Sequence, residues 1–163
     1  MTTPLTSDFR LAMRAFVGNC SVLTVGIGAE RTGLVVTSAT SLAADPPMVL
    51  ACVNRSSSAH ALFARFGAFG LNSLGARHLA VAERFSGVTG VTGLGRYDGA
   101  DWVTAESGAM LLADAPAAFD CEMEEMIDRA THSIVIGRVR GIRMTPGAGA
   151  LAYWNGAYVP MAG

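Results

Sequence analysis

The chain has 163 residues, of which 51% are hydrophobic and 15% charged, and its net charge is −1. This composition predicts a folded protein with one domain over residues 1–163, and it excludes an intrinsically disordered chain. The balanced charge argues against a nucleic-acid-binding protein, which normally carries a basic excess. Because so few charges cannot cover a monomer of this size, we expect part of its surface to be buried against another subunit.

The sequence lacks lysine and CxxC pairs, and each absence excludes a class of site. All 12 basic residues are arginine, so lysine Schiff-base chemistry is excluded and any anion site must use arginine, backbone N–H groups or hydroxyls. The cysteines at positions 20, 52 and 121 form no CxxC pair, which predicts reduced thiols without a disulfide framework or a zinc site. The sequence has no signal-peptide core and no run of membrane-spanning length, so we expect a cytoplasmic protein without membrane contact.

The predicted elements begin with a short helix over residues 8–17. Its apolar residues, from Phe9 to Phe16, recur with helical spacing, and Ser7 or Asp8 can cap its first turn. Three strands rich in Val, Leu and Ile follow at residues 21–27, 33–36 and 48–53.

The remaining chain is predicted to hold two helices, a long loop and further strands. The helices lie at residues 57–66 and 77–85, and the glycine-rich segment 87–99 is expected to be a loop. A terminal hairpin, 151–161, has the Asn155-Gly156 pair of a type I′ turn. Many short strands with few helices indicate a closed or nearly closed antiparallel barrel. The other predicted strands are residues 68–74, 110–112, 118–127 and 133–144.

A polar segment, TSATSLAADPP, separates the second and third predicted strands. Residues 37–47 carry hydroxyls and small side chains, with no charge before Asp45. The segment can be a polar loop or strand edge that faces water. It can also be a neutral wall for a flat heterocycle with many hydrogen-bonding groups. Composition leaves both interpretations open.

A second polar segment, NRSSSAH at residues 54–60, joins a predicted strand to a predicted helix. A helix N-terminus offers free N–H groups and a partial positive charge, and Arg55 and the three serines add donors for an anion. The alternative is simple capping, in which one serine is the N-cap and the others are solvated.

Four longer segments carry a combined pattern. They are DFRLAMRAFVGNCSVLTVG, GLVVTSATSLAADPPMVLACVNRSSSAHALF, FDCEMEEMIDRATHSIVIGRVRGIRM and LAYWNGAYVPM. Together they resemble the flavin reductase-like family, the short-chain NAD(P)H:flavin oxidoreductases, whose motifs include DCE, GTH, IGRV and a closing hairpin. The resemblance covers nearly the whole chain, and the combination of motifs is specific.

The resemblance implies a mainly β fold, the FMN-binding split barrel, a six-stranded antiparallel Greek-key barrel with flanking helices that forms a homodimer. It implies that the flavin ring lies against residues 37–41, largely through backbone groups, and beside the end of the next strand. Ser57 and Ser58 would bind the flavin phosphate, and Arg84 and Phe85 would add a further contact. The flavin-binding residues implied are Thr37, Ser38, Ala39, Thr40, Ser41, Cys52, Val53, Asn54, Ser57, Ser58, Arg84 and Phe85.

His132 matches the histidine of the GTH motif, which faces the nicotinamide in the family. This chain has Ala130 where the family has glycine. Because alanine reaches positive φ less easily than glycine, we expect the local backbone to differ. His60 and His78 lack such a motif and are expected on a helix face and at the surface.

The activity implied by the resemblance is hydride transfer from NADH or NADPH to FMN or FAD, with reduced flavin supplied to a partner monooxygenase. The flavin carries the difficult chemistry, so no nucleophile, acid–base triad or metal is expected. Two alternatives stay open. One is a reductase with bound FMN that passes electrons to a corrin cobalt or ferric iron, and the other is a non-catalytic flavin- or haem-binding module.

Overall fold

The computed structural model describes residues 3–163 and confirms the mainly β architecture. Its α-helices in this range are α1 (Pro4–Met13), α2 (His60–Phe66) and α3 (Leu79–Ser86). None of these three is long and apolar enough to cross a membrane.

α1 begins earlier than predicted because a Thr-Pro pair starts it. The Thr3 hydroxyl accepts the N–H of Thr6 at 3.2 Å, and Pro4 occupies the first turn, where its missing N–H does no harm. Ser7 and Asp8, the predicted caps, therefore lie inside the helix. Residues 14–17, also predicted as helical, follow its end.

The strands outnumber the prediction. They are β1 (Gly18–Asn19), β2 (Ser21–Val25), β3 (Thr32–Val36), β4 (Thr40–Ala44), β5 (Pro47–Asn54), β6 (Ala68–Ser73), β7 (Trp102–Thr104), β8 (Met110–Leu112), β9 (Ala117–Arg129), β10 (His132–Met144), β11 (Ala150–Trp154) and β12 (Ala157–Met161). β1, β4 and β7 have no counterpart among the predicted strands. The terminal β11–β12 hairpin is confirmed, since Asn155 and Gly156 both have positive φ, as a type I′ turn requires.

The main sheet is a barrel with one open seam. Its strand order is β3-β2-β6-β9-β10-β5-β4, and every pairing within it is antiparallel. The connection from β5 through α2 to β6 passes over β10 and β9, as in a Greek key. β3 and β5 approach each other without forming a ladder in residues 3–163. The six strands from β3 to β5 thus form the wall, and β4 extends it beyond the seam.

The barrel interior is filled by aromatic and β-branched side chains. Phe63 of α2 meets Phe69 of β6 edge-on, with ring centroids 5.6 Å apart. Gly137 of β10 makes room for this pair, because a Cβ there would lie 2.5 Å from the Phe69 ring. A residue with a side chain at position 137 would displace the core.

A second core lies under α3 and corrects the prediction of a long loop at 87–99. Phe85, Tyr97 and Trp102 pack edge-on or tilted, with centroids 5.0 to 5.5 Å apart. The Tyr97 hydroxyl donates to the Thr32 carbonyl at 2.6 Å. These contacts hold a 3₁₀ helix, Gly93–Tyr97, against the barrel.

Ser38 bridges the open seam with its side chain. Its hydroxyl accepts the N–H of Cys52 at 2.9 Å and reaches the Cys52 carbonyl at 3.3 Å. The pairing of β4 with β5 starts only at Thr40, opposite Leu50. The Ser38 hydroxyl therefore supplies to β5 the hydrogen bond that a longer β4 would have made.

Replacing Ser38 should loosen this seam. Ser38→Ala leaves the Cys52 N–H without its partner, so we expect the free energy of unfolding to fall by about 1–3 kcal/mol. Ser41→Ala, an exposed serine in the same segment, is the matched control. Urea unfolding followed by circular dichroism measures both variants, and equal stability of the two would contradict the bridging role.

Candidate functional site

Three hollows with shared lining residues lie in the region where β5 ends. The first, of about 510 Å³, is lined by Arg10 and Thr37 together with the β11–β12 turn. The second, of about 760 Å³, shares Arg10 with the first and contains Asn54 and His132. The third, of about 300 Å³, shares Asn54 with the second and contains the serine turn that follows it. We call these three hollows together the trough.

The charge of the trough is one-sided. Its lining includes four arginines and two histidines, and no carboxylate among residues 3–163 lines it. These six residues are Arg10, Arg14, Arg55, Arg96, His60 and His132. Arg55 faces the Asp128 carboxylate at 3.7 Å, and the remaining excess of guanidinium groups suits a ligand that carries phosphate groups.

The predicted flavin wall, residues 37–41, divides between two surfaces. Thr37 lines the trough, but Ala39, Thr40 and Ser41 line a separate apolar groove of about 530 Å³. The division arises because the segment does not stay a loop: from Thr40 it becomes the edge strand β4. The Ala39 carbonyl also accepts the side-chain N–H of Asn19 at 2.8 Å, which fixes the change of direction.

The end of β5 supplies one exposed side chain to the trough. Val53 is fully buried and lies opposite Ser133 of β10, so it presents no exposed group to the trough. Cys52 is half-buried, with its N–H bonded to Ser38. Asn54 is exposed, and its Oδ1 accepts both the N–H and the hydroxyl of Ser56 at 2.9 Å. Asn54 thus folds the serine turn back on itself.

The serine turn precedes α2 and does not cap it. α2 starts at His60, its N-cap position is Ala59, and no side chain caps it. The predicted capping role of Ser57 or Ser58 is therefore wrong. The Ser57 hydroxyl oxygen accepts the Ala59 N–H at 3.2 Å, which leaves its hydrogen free, and within residues 3–163 the Ser58 hydroxyl has no hydrogen-bond partner.

Arg96 is a trough residue that the sequence prediction missed. It lies in the 3₁₀ helix and lines the third hollow with Ser57 and Ser58. Its guanidinium donates to the carbonyls of Val91, at 3.2 Å, and Gly33. Burial lowers the pKa of Arg96 from its ordinary value. The one available signal was that Arg96 is the first charged residue after Arg84.

Arg84 and Phe85 have different positions. The Arg84 guanidinium donates to the Gly95 carbonyl at 2.9 Å and ties α3 to the 3₁₀ helix. It is not among the residues that line the trough. Phe85 does line the third hollow, although its side chain is almost fully buried in the second core.

His132 is the exposed first residue of β10. It lies opposite Asn54 of β5, and its Nδ1 is 2.9 Å from the Thr131 hydroxyl. The two-residue turn before it keeps the conformation expected of glycine, because Ala130 has a φ of 49°. The expectation of a different backbone is therefore wrong. The Arg55 N–H donates to the Thr131 carbonyl at 2.9 Å and helps to hold this turn.

Of the other two histidines, His60 is the first residue of α2, in agreement with the expected helix face, whereas His78 is more buried than predicted. His78, expected at the surface, is buried just before α3, where its Nδ1 accepts the Gly75 N–H at 2.8 Å and its Nε2 lies 3.1 Å from Asp114. His60 is half-buried, and its Nε2 lies 2.7 Å from the Ser133 hydroxyl.

The comparisons with known proteins identify the family of the chain. Residues 13–162 match the model of the flavin reductase like domain. The FMN reductase (NADH) RutF of Agrobacterium fabrum is 33% identical over 151 residues, which is 93% of this chain and 86% of that protein.

Two solved structures have the same fold. The NADH:FAD oxidoreductase SgcE6 of Streptomyces globisporus, in complex with NAD and FAD fragments, superposes with a TM-score of 0.87 at 27% identity, over 99% of this chain and 96% of that one. BorF, the flavin reductase component of a bacterial two-component tryptophan halogenase, gives a TM-score of 0.88 at 27% identity, over 97% and 99% of the two chains. From its domain match and its relatives, this chain belongs to the flavin reductase-like family.

Proposed function

We propose that this protein transfers a hydride from NADH to FMN and supplies the reduced flavin to a partner oxygenase. The family and the curated relatives make it an NAD(P)H:flavin oxidoreductase. The choice of FMN and NADH follows the relatives with the names FMN reductase (NADH). The observation that carries the proposal is the trough, in which the hollow that contains the serine turn shares Asn54 and Ser56 with the hollow that contains His132.

The flavin phosphate would bind in the third hollow. The free hydroxyls of Ser57 and Ser58 can donate to phosphate oxygens, and Arg96 supplies positive charge from the opposite wall. Because backbone carbonyls already hold the Arg96 guanidinium in place, little side-chain entropy is lost on binding. These residues fit a phosphate monoester.

The flavin ring would extend from the phosphate along the end of β5 towards Thr37. This wall is neutral, and the Ser38 hydroxyl is already bonded to Cys52, so contacts to the ring would come from backbone groups and from Asn54. A neutral, preformed wall lets a flat heterocycle lie close to the backbone. The other predicted wall residues, Ala39 to Ser41, face the apolar groove, so we propose for them a role in supporting the wall.

When flavin and nicotinamide stack, a hydride passes from nicotinamide C4 to flavin N5. The protein has to hold the two rings in register and keep water out. His132 stands at the rim of the second hollow, where its imidazole can hydrogen-bond the nicotinamide carboxamide. The nearby Arg10 and Arg55 suit the dinucleotide phosphates.

We also propose a homodimer. α1 leaves Phe9 62% exposed, and Phe16, just after it, is 67% exposed. The side chains of Trp154 and Met161, in the terminal hairpin, are about half exposed. Apolar side chains of this size are normally covered, and a second copy of the chain would cover them.

The first test is catalytic. Purified protein should oxidise NADH when free FMN is added, and the rate should saturate with FMN, as followed by the loss of nicotinamide absorbance. FAD and riboflavin serve as comparison flavins. No NADH oxidation with any of the three would overturn the proposal. A rate independent of added flavin would favour a reductase with a permanently bound cofactor.

The second test separates phosphate binding from turn formation. Ser57→Ala with Ser58→Ala should weaken FMN roughly tenfold or more, since hydrogen bonds to a charged group are lost, and should change riboflavin binding less than about twofold. Ser56→Ala is the control, because that hydroxyl already donates to Asn54. Fluorescence titration measures the affinities, and equal loss for FMN and riboflavin would show that the serines do not contact phosphate.

The third test concerns His132. His132→Ala should raise the KM for NADH by roughly 3- to 10-fold, the value of one hydrogen bond, with the KM for FMN little changed. His132→Gln keeps one hydrogen-bonding group, so its KM for NADH should lie between those of the wild type and His132→Ala. Steady-state kinetics with each substrate varied gives both constants. An unchanged KM for NADH in His132→Ala would remove the nicotinamide role.

A further inference from the structure

A hydrogen-bonded chain of three side chains lies behind His132. The His60 Nε2 is 2.7 Å from the Ser133 Oγ, and the Ser133 hydroxyl donates to the Asp128 carboxylate at 2.6 Å. Ser133 is fully buried, whereas Asp128 is exposed. The three residues belong to α2, β10 and β9, so the chain joins the elements on both sides of the turn before His132.

The direction of the hydrogen bonds can be assigned. A serine hydroxyl has a single hydrogen, and an ionised carboxylate can only accept. Because that hydrogen goes to Asp128, the Ser133 oxygen must accept from His60, which therefore carries its hydrogen on Nε2. The hydrogen bond from Ser133 lowers the pKa of Asp128, and Arg55, 3.7 Å from the carboxylate, acts in the same direction.

The chain fixes the hairpin that presents His132. Asp128 and Ser133 lie directly opposite each other in the β9–β10 ladder, just inside the two-residue turn. Since successive side chains of a strand point to opposite faces, holding Ser133 inward holds His132 outward, towards the trough. The Arg55 guanidinium, which faces Asp128, also donates to the Ala130 carbonyl at 3.4 Å.

This turn needs support from outside itself. A non-glycine residue with positive φ is strained by roughly 1–2 kcal/mol, and Ala130 has that conformation. Such strain persists only when the surroundings hold it in place. The hydrogen bonds made by Asp128, Ser133 and Arg55 lie on both sides of Ala130 and provide that support.

We propose that Asp128, Ser133 and His60 are positioning residues that set the His132 imidazole against the nicotinamide. The inference rests on the proposed role of His132. It assigns to His60 and Ser133 a place in the recognition of the reduced dinucleotide that acts through His132 and involves no contact with the flavin.

The experiment compares three variants with the wild type. Ser133→Ala and His60→Leu break the chain and should raise the KM for NADH roughly 3- to 10-fold, with the KM for FMN changed less than about twofold. His60→Gln keeps an N–H donor for Ser133 and should stay close to the wild type. A rise of both KM values together with a lower Tm, or equal behaviour of His60→Gln and His60→Leu, would show a merely structural role and overturn the proposal.

A double-mutant cycle tests whether the chain acts through His132. In a His132→Ala background, Ser133→Ala should add less than about a twofold change in the KM for NADH, because coupled residues are non-additive. A full additional effect would mean that His60 or Ser133 contacts the dinucleotide directly, and the proposal would be wrong. If Ser133→Ala is silent while His132→Ala is defective, the positioning role fails and the proposed function stands.

NMR of the histidine imidazole protons tests the proposal without any ligand. The chain has only three histidines, so their signals can be told apart. Ser133→Ala should shift the imidazole signals of His132 and His60 and leave those of His78, which is bonded elsewhere, unchanged. An unshifted His132 signal would contradict the proposal. So would a shift in His78, because it would report a general disturbance of the fold.

Discussion

The antiparallel pairing of β5 with β10 is the contact on which the candidate site depends. Its register places Asn54 opposite His132 and Val53 opposite Ser133. β5 then runs directly into the serine turn, and β10 starts directly after the Ala130 turn. One set of backbone hydrogen bonds therefore decides how far the serine turn lies from His132. A slip of one position would turn every side chain on one strand to the opposite face.

The barrel could be read from the sequence because its signals are local. Alternating β-branched residues predict most strands, and the Asn155-Gly156 pair predicts the final turn. β4 was not predictable in this way, since its two alanines are poor strand formers, and it exists because β5 offers an edge to pair with. The predicted first residues of the helices were wrong for a related reason. At α2, hydrogen bonds within the serine turn replace the expected cap.

The sequence predicted which kinds of residue form the candidate site better than it predicted their positions in space. His132 and the serines carry motifs, so the resemblance locates them. Arg96 carries none, and it reaches the third hollow only because the aromatic contacts of Tyr97 hold the 3₁₀ helix in place. The bond between Ser38 and Cys52 joins residues far apart in sequence, and no single segment encodes it. What the sequence could not supply is tertiary contact.

The buried cysteines of the chain have low reactivity. Cys20 and Cys121 are buried, and burial raises the pKa of Cys20 to about 11 and that of Cys121 to about 12. Both therefore remain neutral thiols at physiological pH, and a thiol that is not ionised is a poor nucleophile. Buried thiols that stay protonated suit a protein that reduces flavin, because they do not compete as nucleophiles.

The alanine at the β9–β10 turn has a consequence for the order of folding. A glycine at position 130 would let the turn form by itself, because glycine adopts positive φ readily. With alanine, the hairpin end has little tendency to form before α2 and β5 have docked beside it. We therefore expect β9 and β10 to pair first at the ends that are distant from the Ala130 turn. The turn that precedes His132 should be among the last parts to become ordered.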